Sequence, residues 1–152
     1  MPDTQKTAVL EGKRFEASFK QLLKEYNLSH CGNRHSLTKF YDYVLDEPAH
    51  LDFVLPELQV VIECKTMSQW EKKHFQMIDS YANKHKRGVF DFPNGETPTF
   101  WYIIERTVHR SALRPKIVSR LDTQHRQYNE WYNPQGFHLI YYDHDTMKLS
   151  LI

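Results

Sequence analysis

The sequence predicts a single α/β domain over residues 1–152, with a mixed β-sheet flanked by helices, and three observations carry that expectation. Two runs rich in Val, Ile, Leu and Phe, 51–55 and 58–65, are separated only by Pro56-Glu57. This reads as a β-hairpin, because proline lacks a donor for a sheet ladder and fixes its own φ. Apolar residues at helical spacing lie on both sides of that hairpin: Phe15, Phe19, Leu22, Leu23 and Tyr26 before it, Trp70, Met77, Ile78 and Tyr81 after it. A short apolar run, 100–105, then follows the second helical stripe, and a helical crossover makes the flanking strands parallel.

Taken in order, the first helix covers 8–26, and 27–38, with Gly32 and Asn33, is a loop. Residues 40–45 alternate aromatic and polar groups as a first strand, leading through Glu47-Pro48 into the hairpin. Ser68 followed by Glu71 is a capping-box pattern that starts a helix running to about Lys86, and Gly88 stops it. Residues 91–98 contain Pro93, Asn94, Gly95 and Pro98 and form a loop. A further helix spans 115–131, a turn occupies 134–136, and 137–142 with 148–152 closes as a final hairpin around Asp143-His144-Asp145. There is no internal repeat.

Side-chain parity gives the hairpin its chemical meaning. A two-residue reversal sets Leu55 opposite Leu58, Phe53 opposite Val60, Asp52 opposite Val61 and Leu51 opposite Ile62. Alternation then gathers Leu51, Phe53, Val60, Ile62 and Cys64 on one apolar face and Asp52, Glu63 and Lys65 on the other. A slip by one residue buries the carboxylates, at several kcal/mol per unpaired charge. In this register Asp52 and Glu63 are diagonal neighbours, roughly 7 Å apart at the backbone.

Two carboxylates so placed suit Mg²⁺, which takes oxygen ligands at about 2.1 Å and is commonly held by one or two carboxylates plus substrate phosphate. Lys65, on the same face, is placed to orient or help deprotonate an attacking water and to offset charge on a phosphorane. A plain solvent-facing hairpin with a Glu63–Lys65 ion pair is the competing reading.

Asp52, ten intervening residues and then Glu63-Cys64-Lys65 resembles the signature of the PD-(D/E)XK nuclease superfamily, which includes restriction endonucleases, Holliday junction resolvases, homing endonucleases and RecB-type nuclease domains. Leu51 stands where the signature has proline, a position at which members vary. Gly12-Lys13-Arg14-Phe15-Glu16 resembles the first-helix pattern of the family, which makes Glu16 a third metal-site acid. Gln76 and Tyr81 resemble a glutamine and tyrosine that RecB-type members carry on the following helix, at a spacing one residue longer. The useful motifs cover roughly residues 10–90. The resemblance implies a restriction-endonuclease-like fold and Mg²⁺-dependent hydrolysis of DNA phosphodiesters, with Asp52, Glu63, Lys65 and Glu16 catalytic and the three acids on the metal.

Composition bounds the class without choosing within it. The chain has 152 residues, 40% hydrophobic and 26% charged, enough for one domain with a real core. Cys31 and Cys64 have no CxxC-type spacing, so neither a disulfide framework nor a zinc cluster is indicated. His30, Cys31 and His35 in one loop lack a fourth ligand at suitable spacing, and His144 between two aspartates reads as turn chemistry. Met1-Pro2-Asp3 opens no apolar leader, and no run approaches the roughly 18 residues of a membrane span, so the expected location is cytoplasmic, with no membrane partner.

Net charge is only +1, but it is unevenly distributed. Arg106, Arg110, Arg114, Lys116, Arg120 and Arg126 stand against the single acid Asp122, with His109 and His125 interleaved; Lys72, Lys73, Lys84, Lys86 and Arg87 form a second cluster. Such segments follow a phosphate backbone or form a solvated helix face. We expect Lys72, Lys73, Arg106, Arg110, Arg114 and Lys116 to contact DNA. Trp101, Tyr102, Tyr128, Trp131, Tyr132, Tyr141 and Tyr142 either stack on unpaired bases or fill the core. Cutting two strands with a chain this small calls for a homodimer. The alternatives are a nuclease subunit of a larger recombination or transposition complex and a non-catalytic nucleic-acid-binding module on the same fold.

Overall fold

The computed structural model describes residues 3–25 (side chains from Arg14), 40–66, 71–105, 115–143 and 146–152. Expectations for Tyr26, the 27–38 loop, Ser68, Trp70, Arg106, Arg110, Arg114, His144 and Asp145 lie outside these residues. The elements run α1 (Asp3–Glu25), β1 (Phe40–Asp42), β2 (Glu47–Ala49), β3 (Phe53–Leu55), β4 (Val60–Thr66), α2 (Glu71–Lys86), β5 (Thr99–Glu105), α3 (Pro115–Tyr132), β6 (Phe137–Asp143) and β7 (Lys148–Leu151). The main sheet has strand order β3-β4-β5-β6-β7; β4, β5 and β6 are parallel, while β3 and β7 are antiparallel to their neighbours. The chain is thus a mixed α/β protein, as its sequence predicts.

Both faces of the sheet are covered, because successive residues of β4 supply two different cores. Phe15, Phe19, Leu22 and Leu23 of α1 pack on Phe53, Val60, Ile62, Cys64, Ile103 and Tyr142. Phe15 stacks on Tyr142 at a centroid distance of 5.4 Å, and Phe19 meets Phe53 at 5.5 Å. On the opposite face, Phe75, Ile78 and Ala82 of α2 and Leu121 of α3 pack on Val54, Val61, Phe100, Tyr102, Ile104 and Leu139. This is why β4 reads Val-Val-Ile without alternation, as parallel strands covered on both sides do.

Four expectations need correction. The hairpin pairs Leu55 with Val60, Val54 with Val61 and Phe53 with Ile62, two residues away from the predicted register. The turn is longer than Pro56-Glu57: Gln59 takes a left-handed φ of 54° and its N–H donates to Pro56 O at 3.3 Å, leaving Leu58 exposed. A two-residue shift preserves parity, so Phe53 still shares a face with Val60 and Ile62. Leu51, however, packs with Val54 rather than with Phe53, because the strand begins only at Phe53 and alternation does not extend back through the bend at Asp52. The face carrying Glu63 is also not a solvent face, since α2 covers it and Glu63 is 4% exposed.

The fourth correction concerns 40–45, which is not one strand of the main sheet. Phe40–Asp42 pairs with Glu47–Ala49 in a separate two-stranded sheet. Asp42 sets that turn: its Oδ1 accepts the N–H groups of Val44 and Leu45 at 3.0 and 3.1 Å. Arg87, just past α2, donates to both Asp42 oxygens at 2.9 and 2.7 Å, fastening the small sheet to the helix end. The helix stops as the glycine signal predicts. Gly88, at φ 82°, donates to His85 O at 3.1 Å, and Val89 N–H reaches Lys84 O at 3.0 Å, the double bond of a left-handed C-cap.

Candidate active site

Strand β4 and the bend before β3 bring Asp52, Glu63 and Lys65 together at one end of the hairpin. The backbone N–H of Asp52 donates to Glu63 Oε1 at 3.2 Å, and the Cys64 N–H donates to Asp52 Oδ2 at 2.8 Å. The two carboxyl groups also hydrogen-bond directly. Lys65 Nζ lies 3.5 Å from Glu63 Oε2, with its side chain about one-third exposed. From α2, the Tyr81 hydroxyl donates to the same Glu63 oxygen. From α1, the exposed Glu16 hydrogen-bonds Asp52.

The electrostatics follow from two acids sharing a poorly hydrated space. Burial first, then the charge of Glu63 and the hydrogen bond to it, push the Asp52 carboxyl up to about 7; the Cys64 N–H and Glu16 pull the other way. Burial, with Asp52 and Glu63 beside it, drives the Cys64 thiol well above its ordinary range, so Cys64 is an inert core residue. Burial and the Glu63 charge likewise raise the phenols of Tyr81 and Tyr102, which remain protonated donors.

Among the described residues no group of three or more His, Cys, Asp or Glu side chains is arranged to hold a metal ion. Glu16 is linked to Asp52, and Asp52 to Glu63, rather than all three converging on one point. The pair of hard carboxylate donors still suits Mg²⁺, which needs only one or two protein carboxylates. The raised Asp52 carboxyl has the same origin: the pair favours a positive charge, whether a proton or a cation.

The basic residues divide. Lys72, Lys73 and Lys116 are exposed. Arg120 instead donates to Glu71 on α2 at 2.7 Å, Lys84 lies 3.7 Å from Glu47, and Arg87 is committed to Asp42. Of the seven aromatics read as stacking or core, Trp131 is exposed at 69%, Tyr102, Tyr141 and Tyr142 are buried, and Trp101, Tyr128 and Tyr132 are half-buried. Asp143 accepts the Thr146 N–H at 3.2 Å, the turn chemistry expected of it. Sequence reasoning missed Tyr102 as a site neighbour; the signal was its place on β5, in register with Glu63. Among the described residues no helix is long and apolar enough to cross a membrane. Comparison with protein-family models, with curated proteins and with solved structures finds no match.

Proposed function

We propose that the chain is a Mg²⁺-dependent endonuclease hydrolysing DNA phosphodiester bonds, on a restriction-endonuclease-like fold. The observation that carries the reading is the convergence of Asp52, Glu63 and Lys65, with Asp52 and Glu63 in direct contact and Lys65 3.5 Å from Glu63. Asp52 and Glu63 would hold the ion, and Glu16 would orient Asp52 from α1. The ion supplies charge neutralisation at the phosphate and a more acidic water. Lys65 is the partly exposed cation of the group, suited to orienting the nucleophile and countering charge on the phosphorane. Tyr81 holds the Glu63 carboxylate in place. Lys72, Lys73 and Lys116 would contact the DNA backbone, with Arg106, Arg110 and Arg114, and a homodimer would supply one site per strand.

Incubation with supercoiled plasmid, linear duplex and a four-way junction, with Mg²⁺ or with EDTA, tests this reading. Mg²⁺-dependent cleavage by the isolated chain supports it. Salt-sensitive binding without cleavage favours the binding-module alternative, and cleavage only alongside a partner protein favours the subunit alternative. Gel filtration with and without DNA tests the dimer.

A further inference from the structure

Glu63 has a second phenol beside it. Tyr102 is its register partner on the adjacent parallel strand β5, so the two side chains leave the sheet on the same face. Tyr102 is fully buried, with its ring 5.9 Å from that of Tyr81 and 6.1 Å from that of Phe137. Its hydroxyl has no hydrogen-bond partner among the described residues. Four other phenols near acids behave differently: Tyr81 donates to Glu63, Tyr132 to Asp79, Tyr41 to Asp46 and Tyr141 to Asp122. The acids whose charge reaches Tyr102 are Glu63 and Asp52. A buried, unsatisfied hydroxyl beside an acid pair calls for a physical cause, and a state in which it is satisfied is one.

We propose that Tyr102 is a positioning residue for the carboxylate pair: its hydroxyl donates to Glu63 when Asp52 and Glu63 hold a divalent cation. This rests on the metal-dependent reading above. Glu63 Oε1 is turned toward the Asp52 backbone and Oε2 toward Tyr81 and Lys65. Gripping a cation redirects at least one of these oxygens, and the contact it gives up must be replaced. Tyr102 is the neighbouring donor with no other commitment, and it is sealed from solvent, where a charge-assisted hydrogen bond is strong.

Tyr102→Phe removes the hydroxyl while keeping the ring, and two measurements read its effect. In titration calorimetry with MgCl₂, the variant should bind Mg²⁺ roughly tenfold more weakly than wild type, the factor expected for a hydrogen bond to a charged acceptor. Without Mg²⁺ its melting temperature should be equal or higher, because an unsatisfied buried group is gone. Tyr132→Phe, which alters a phenol–acid pair on α3, should leave Mg²⁺ affinity unchanged. A purely structural Tyr102 would lower the melting temperature equally with and without Mg²⁺, and that result overturns the proposal. Unchanged affinity in Tyr102→Phe, alongside lost binding in Asp52→Ala, overturns it while leaving the metal-dependent reading intact. Absence of binding by wild type overturns both.

Discussion

Asp52 and Glu63 clamp each other's strands. The Asp52 N–H donates to Glu63 Oε1 at 3.2 Å, and Asp52 Oδ2 receives the N–H of Cys64, the residue after Glu63, at 2.8 Å. Each carboxylate therefore has a backbone donor on the other arm of the hairpin, which keeps the two acids side by side before any ligand arrives. Preorganisation of this kind is what an ion site built from only two acids needs.

The clamp sets a pH dependence. The Asp52 carboxyl is raised from 3.8 to about 7, so between those values the folded chain binds more protons than the unfolded chain. The Asp52 contribution to stability without Mg²⁺ should fall as pH rises through that window and level off above it. Protons and Mg²⁺ compete for the same oxygens, so Mg²⁺ affinity should climb toward pH 7 and plateau beyond. Urea denaturation and titration calorimetry at pH 5, 6, 7 and 8 check both, and Asp52→Asn should remove the Asp52 contribution and with it this fall.

His74 gives a slope of the opposite sign. It lies buried between α2 and α3, its Nε2 2.7 Å from His125 Nε2, and burial lowers its pKa from 6.5 to about 4. The unfolded chain takes up this proton first, so the His74 contribution to stability is lost as pH falls from 6.5 toward 4. In an Asp52→Asn background, where the opposing slope is absent, stability should drop across that window. His74→Gln should remove the drop.

Lys65→Ala should separate binding from chemistry. Lys65 is an ion-pair neighbour of Glu63 rather than an ion ligand, so the variant should bind Mg²⁺ within a few-fold of wild type. Its single-turnover cleavage rate should fall roughly 10²- to 10⁴-fold, the usual size of a lost proton-transfer group. Loss of Mg²⁺ binding along with activity would instead make Lys65 structural.

DNA affinity should respond to the exposed lysines and not to a cation held by an acid. Lys72→Ala, Lys73→Ala and Lys116→Ala should each make the dependence of log affinity on log salt shallower by about one unit. Arg120→Ala should leave that slope unchanged, since its guanidinium is held by Glu71. Fluorescence anisotropy over a salt series measures both.

Much of the fold was legible because it rests on short-range signals. The Phe15–Leu23 stripe, Gly88 after the second helix, and the alternation of helix with apolar strand all act locally and fell where expected. The parity of Phe53, Val60 and Ile62 survived an error of two residues in register, since faces repeat every second residue. What escaped depends on long-range packing. A left-handed Gln59 carries no glycine or asparagine signal, so the longer turn was not visible. That α2 would bury Glu63, that Asp42 would claim Arg87, and that Tyr102 would face the acid pair all depend on tertiary neighbours far away in sequence.

Plasmid cleavage in Mg²⁺ by wild type and by Asp52→Ala tests the central claim most directly. Wild type should convert supercoiled DNA to nicked or linear product, EDTA should stop it, and Asp52→Ala, although folded, should leave the plasmid supercoiled. Cleavage by Asp52→Ala at the wild-type rate would contradict the assignment of the site to the Asp52–Glu63 pair.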